Sequence, residues 1–290
     1  MGPIIICGMH RSGTSLVCRA LEVAGLFTGD VKEHNPEAVF FLTLNQWMFE
    51  QLGASWDNPY NMRFINDDLA GYLLAVIANI ERSPSAVSFT GADPRHQQVF
   101  LPDNQVAWGW KDPRNTFTAA IWAAAFADAK LVHVCRNPLD VAASLRLREQ
   151  EIMQRHQAQL AHMKPEQLDG TLRFQQSPRL FHLEEGLVLW EEYTAQALLL
   201  ERKFGANAIR VRYEDFLADP VTELGRLADF AGLETDTPQL QAAVTQVNPL
   251  RRYAFMDKQE LLSAYRDFRN RDIMKALGYD TLEEQCTSAA

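Results

Sequence analysis

Apolar residues follow two rhythms along this 290-residue chain. The first is a short run, mostly apolar and rich in β-branched residues, closed by glycine or a charge: Pro3–Cys7, Val106–Trp110, Lys130–Cys135 and Ala208–Tyr213. Strands covered on both faces read this way, because neither side of the pleat meets water. The second is a longer stretch with helical spacing: Leu16–Ala24, Val39–Leu52, Leu69–Arg82, Thr116–Asp128, Leu139–Glu151, Leu187–Phe204 and Pro220–Gly232. Gly25 stops the first helix, and Pro138 opens the one after the third strand. Strands alternating with helices predict an α/β fold, a three-layer arrangement with a mostly parallel central sheet and helices on both faces. Residues 53–68 and 83–105 are rich in Asn, Asp, Gly and Pro and read as irregular. Residues 152–185 break the alternation and carry His156, His162, His182, Arg155, Arg173 and Arg179. They are expected to form a lid or acceptor-binding insertion within a single domain of residues 1–280, followed by a frayed tail, 281–290.

A parallel sheet binds its ligands beyond the carboxyl ends of its strands. Arg11, Lys111, Arg136 and Tyr213 each fall at or just after such an end. The first of these ends is the most telling. Gly8-Met-His-Arg-Ser-Gly-Thr-Ser15 lies between a buried strand and a helix, so its amides and the helix dipole converge on one anion. The spacing nearly matches the Walker A motif, but Thr14 occupies the lysine position. Such a cradle lacks the point charge that reaches a triphosphate and carries Arg11 instead. The third strand ends at Arg136, with Ser144 and Arg148 following on one face of the next helix. A strand-end guanidinium with a hydroxyl and a second arginine makes a site for a dianionic phosphate.

These blocks resemble the sulfotransferases, which move a sulfuryl group from 3′-phosphoadenosine-5′-phosphosulfate (PAPS) and release 3′-phosphoadenosine 5′-phosphate (PAP). The first loop is similar to the family's 5′-phosphosulfate loop. The resemblance therefore implies that Arg11, Ser12, Gly13, Thr14 and Ser15 hold the donor's 5′ end. Arg136 and Ser144 match the 3′-phosphate site. Arg210-Val-Arg-Tyr213-Glu-Asp-Phe216, followed by Asp219-Pro220, looks like a family segment whose tyrosine lies near that phosphate. Trp110-Lys-Asp-Pro-Arg114 resembles a segment whose lysine approaches the transferred group. The likeness runs from residue 3 to about 232 and extends to Asn248-Pro-Leu-Arg-Arg252, which brings in Arg251. It implies the P-loop NTPase-like sulfotransferase fold, of the branch that includes bacterial enzymes.

Composition narrows the partners. A formal net charge of −9 disfavours nucleic acid and heavily sulfated polymers, which want a basic face. With 47% hydrophobic and 22% charged residues, the chain has ordinary globular composition. No run is long enough for a membrane span. The expected location is the bacterial cytoplasm, and oligomeric state is not readable. Cys7, Cys18, Cys135 and Cys286 show no metal or redox spacing and are expected to be reduced and structural. No metal is expected. The acceptor is expected to be a small molecule, a sugar or a carrier-bound metabolite.

Sulfuryl transfer would proceed in line, with charge developing on the bridging oxygen as PAP leaves. Arg11, the amides of Ser12 to Ser15 and Lys111 are the groups expected to meet that charge. The acceptor hydroxyl also needs a base. In the family this is a glutamate or histidine soon after the first helix, where Glu33, His34 and Glu37 stand here. Many relatives resemble N-P-x-G-F-F-E, whereas Asn35-Pro-Glu-Ala-Val-Phe-Phe41 is followed by Leu42. The base is therefore sought at Glu33 or His34. Two rival readings remain: a P-loop small-molecule kinase, opposed by Thr14, and a catalytically silent PAP-binding or scaffold protein, motivated by Leu42.

Overall fold

Ile4–Cys7 (β1) is fully buried and lies at the middle of the sheet, with Gly109–Lys111 (β2) on one side and Lys130–Cys135 (β3) on the other. Ala208–Arg212 (β4) completes the order β2-β1-β3-β4, and all pairs are parallel. The register sets Ile6 beside Lys111 and Val132, so the carboxyl ends of three strands emerge together. This computed structural model describes residues 1–101, 103–164, 177–245 and 247–283. Within it the chain divides into two compact units, Met1–Arg136 with Tyr193–Arg252, and Asn137–Glu192 with Tyr253–Ala290.

The first unit holds the sheet. Thr14–Val23 (α1), Val39–Gln51 (α2), Asp67–Ile80 (α3), the short Val87–Thr90 (α4) and Asn115–Ala125 (α5) belong to its first segment. Tyr213–Ala218 (α8), Pro220–Ala231 (α9) and Thr237–Ala243 (α10) follow β4. The second unit contains Pro138–Leu160 (α6), the start of Leu183–Phe204 (α7), Gln259–Phe268 (α11) and Asp272–Leu277 (α12).

Two apolar layers sandwich the sheet. On one face Ile5, Cys7 and Leu131 pack with Phe41, Phe89, Trp108, Trp110 and Trp122. Phe41 and Trp110 stack with ring centroids 3.7 Å apart, and Trp122 meets Phe41 edge-on. On the other face Ile4, Ile6, Val132 and Val134 meet Val17, Leu21, Phe216 and Leu224 of the helices. Each large aromatic removes enough apolar surface to dominate its layer. Cys7, Cys18 and Cys135 are buried; burial pushes the Cys18 thiol up to about 12. They are small hydrophobes of the core.

One polar group lies in a poor place. Glu81 closes α3 at its carboxyl-terminal end, where the helix dipole disfavours an anion. Its Oε1 is buried with no hydrogen-bond partner among the described residues, and burial raises the carboxyl to about 7. A carboxyl whose folded pKa is raised loses stability as pH climbs from the ordinary carboxylate range through 7. Glu81→Gln, which mimics the neutral form, is therefore expected to raise Tm at pH 8 and leave it nearly unchanged at pH 5. A pH-independent shift in thermal unfolding would contradict this.

The expected elements are present with shifted ends, and α4, α8 and α10 to α12 form where no helix was expected. The second strand starts at Gly109 rather than Val106, since Trp108 makes only an isolated bridge with Phe27. Helix α6 continues to Leu160, beyond the expected Glu151, and so takes in the first part of 152–185. Residues 165–176 of that insertion, Arg173 among them, lie outside the described residues, as do 284–290 of the tail with Cys286. Among the described residues no helix is long and apolar enough to cross a membrane.

Candidate active site

The loop between β1 and α1 is shaped by residues with positive φ. Gly8 has φ 133°, and a Cβ there would lie 2.1 Å from the Val134 carbonyl oxygen. Gly13 has φ 95° and caps α1, and its Cβ would fall 2.2 Å from Cδ2 of Tyr213. Only glycine fits such approaches. Between them Arg11 adopts φ 70°, an unusual left-handed conformation for a side-chain-bearing residue. The Gly8 amide donates to Thr116 Oγ1 at 3.2 Å, which ties the loop to α5.

The amides of the loop are divided. Ser12 donates its N–H to the Met9 carbonyl at 3.1 Å, so that group is turned into the loop itself. The amides of Gly13, Thr14 and Ser15 donate to no backbone carbonyl among the described residues and stand at the start of α1. These are the donors a helix leaves for an anion. The Ser12 hydroxyl is buried without a partner among the described residues, a polar group that an anion could satisfy. Thr14 is buried and Arg11 is exposed.

Lys111 ends β2 and is only 1% exposed. Its ammonium donates to the Asn35 carbonyl at 3.1 Å and forms an ion pair with Glu37. Burial raises the Glu37 carboxyl, against the lowering effect of the Lys111 charge. The segment is built by a chain reversal: Lys32 bridges Ala38, Val39 N–H donates to Val31 O, and Glu33 N–H to Glu37 O. That reversal turns Glu37 inward and leaves Glu33 and His34 exposed. His34 offers its carbonyl to Arg19. Of the three residues in the base region, only Glu37 reaches Lys111.

A buried polar network supports this strand end. Asp112 receives the Arg114 amide at 2.9 Å and the Asn45 amide group at 2.9 Å. Asn45 also donates to Asn115 and accepts from Thr118 and the Trp122 indole, each at 2.8 Å. Asn115 donates to the Ile6 carbonyl and accepts from the Trp110 indole. Asp112 thus serves as a turn-forming residue. Asn45 and Asn115 were not singled out in the sequence, although an asparagine inside the apolar run Val39–Leu52 is a visible exception to its surroundings.

Arg136 follows β3. Its guanidinium lies over the Tyr213 ring, 4.5 Å from the centroid. It donates to the carbonyls of Arg11 at 3.4 Å and Arg251 at 3.3 Å. Tyr213 is 5% exposed at the start of α8. The Arg251 side chain itself is exposed. In the second unit, Ser144 is half-buried on α6, and Arg148 pairs with buried Glu149 at 2.8 Å. Another charged group serves the sheet instead. Burial of Glu201 is outweighed by hydrogen bonds from Arg210 and His133, which hold its carboxyl at about 2.

A parallel α/β sheet with a glycine-shaped anion loop after its central strand is a P-loop-like fold. The sulfotransferase family model matches residues 3–237, and the chain belongs to the sulfotransferase family. Comparison with curated proteins gives no match. Among solved structures, the chain is similar to the sulfotransferase domain from the curacin biosynthetic pathway. That pair shows 16% identity and a TM-score of 0.53, over 96% of this chain and 98% of that one. The sulfotransferase domain of the Synechococcus PCC 7002 olefin synthase gives 16% identity and a TM-score of 0.47, over 86% and 85%. A sulfotransferase from Alicyclobacillus acidocaldarius gives 19% and 0.45, over 91% and 95%. The first of these supports the fold alone.

Proposed function

We propose that this sulfotransferase uses PAPS as donor and transfers its sulfuryl group to the hydroxyl of a small, neutral or weakly charged acceptor, such as a sugar or a carrier-bound metabolite. The products are PAP and a sulfate ester. The acceptor oxygen attacks sulfur, and the bond from sulfur to the 5′-phosphate oxygen breaks. The acceptor proton passes to a base. Arg11, the amides at the start of α1 and the Lys111 ammonium meet the charge that develops on the leaving oxygen. The family's donor chemistry calls on no metal in this scheme. A cytoplasmic enzyme is the corresponding reading of location.

The observation that carries this reading is the Lys111–Glu37 pair beside the loop. It brings a cation and a carboxyl of raised pKa to one strand end, which is what transfer to a hydroxyl requires. Glu37 is therefore favoured as the base over Glu33 and His34. Arg136 is assigned to the donor's 3′-phosphate with Tyr213 beside it; for Ser144, Arg148 and Arg251 the ground remains the sequence spacing.

Thermal shift with PAP against ATP plus Mg²⁺ tests the donor, and selective stabilisation by ATP would favour a kinase. Radiolabelled sulfate transfer to an acceptor panel tests the reaction. With an acceptor in hand, the acid limb of kcat/KM is expected above the usual carboxylate range, because burial raises Glu37. Glu37→Gln is expected to lower turnover by about 10²–10⁴-fold and to abolish that limb. An unchanged limb would move the base elsewhere.

A further inference from the structure

We propose that Arg136 and Tyr213 are positioning residues that couple recognition of the nucleotide's 3′-phosphate to the shape of the loop receiving its 5′ end. This rests on the PAPS reading and deepens it. Three contacts converge. The Arg136 guanidinium packs over the Tyr213 ring, and the same group donates to the Arg11 carbonyl. The Tyr213 ring in turn abuts Gly13 so closely that no Cβ fits between them. Arg136 therefore touches the loop twice, directly at Arg11 and through the tyrosine at Gly13.

Both of those loop residues have positive φ, Arg11 at 70° and Gly13 at 95°. Left-handed backbone at a non-glycine residue persists only where its surroundings hold it. Arg136 and Tyr213 are such surroundings. An anion that draws on the guanidinium fixes its plane over the ring. The fixed pair then holds the Arg11 carbonyl and the Gly13 cap in the geometry that directs the α1 amides toward the 5′-phosphate. Coupling of this kind is reciprocal: each phosphate strengthens the binding of the other. A donor lacking the 3′-phosphate would lose one anion contact and also leave the catalytic loop less well ordered.

Four ligands test this without any acceptor: adenosine, 3′-AMP, 5′-AMP and PAP, each measured by titration calorimetry. If the two phosphates act independently, their contributions add. The expected result is that PAP binds about tenfold tighter than additivity gives, within the range usual for coupled sites. Tyr213→Phe keeps the ring and is expected to retain the excess, whereas Tyr213→Leu is expected to abolish it while both phosphates still bind. Additive binding in the unaltered protein, with PAP bound normally, would overturn the coupling and leave the donor reading intact. An excess that survives Tyr213→Leu would overturn the role of Tyr213. If neither PAP nor either monophosphate binds more tightly than adenosine, the donor reading falls and the coupling falls with it. The cycle in the unaltered protein decides the matter even if Tyr213→Leu does not fold.

Discussion

Lys111→Met is expected to lower sulfuryl transfer by about 10²–10³-fold, the loss typical of removing one donor aimed at a developing oxyanion. PAP affinity is expected to change far less, since the role proposed for Lys111 lies in the transition state. The variant carries a second cost. Lys111 is buried and paired with Glu37, and breaking a buried pair on one side typically costs about 3–5 kcal/mol. Glu37 has an escape, because its raised pKa lets it take up a proton instead of remaining an unpaired anion. Thermal stability of the variant should therefore recover as pH is lowered. The double variant Lys111→Met/Glu37→Gln removes both charges and is expected to recover stability at neutral pH without recovering turnover. Near-normal transfer by either variant would exclude a catalytic role for the pair.

The second large effect is expected at Arg136. Arg136→Lys keeps a positive charge but loses the planar fork that can grip a phosphate with two hydrogen bonds. It also loses the flat face that packs on Tyr213 and the donation to the Arg11 carbonyl. Truncating one partner of a hydrogen-bonded charge pair costs about 2–5 kcal/mol, so the Kd for PAP should rise by about 30-fold or more. Adenosine should be affected little. Calorimetry with both ligands separates the cases: an unchanged Kd for PAP would remove Arg136 from the phosphate site.

The parts of the site that were legible in the sequence are those written locally. Ile4–Cys7 is wholly apolar and Lys130–Cys135 largely so because both faces of those strands are covered, and the anion-loop glycine Gly8 and the cation Arg136 follow directly. The glycines at 8 and 13 announced a turn whose geometry requires them. What was illegible depends on long-range approach. Glu33, His34 and Glu37 look equivalent along the chain; only the reversal at Lys32–Ala38 decides which one faces Lys111. The Gln- and Arg-rich residues after Glu151 lack a strong apolar stripe, yet they continue α6 to Leu160, because such residues are good helix formers without it. Helices α10 to α12 were not anticipated at all. Two of the three are short, and their apolar residues do not form runs long enough to stand out.

Asn45 has a consequence for how new specificities could arise. Its single amide group meets Asp112, Asn115, Thr118 and Trp122, so α2, the turn after β2 and α5 are joined through one side chain. No apolar or charged substitute could satisfy all four at once, and every loss would strand a buried partner. A substitution here would cost stability whatever acceptor is used. Changes that tune specificity are therefore expected outside this knot, where substitution leaves the foundation beneath Lys111 untouched.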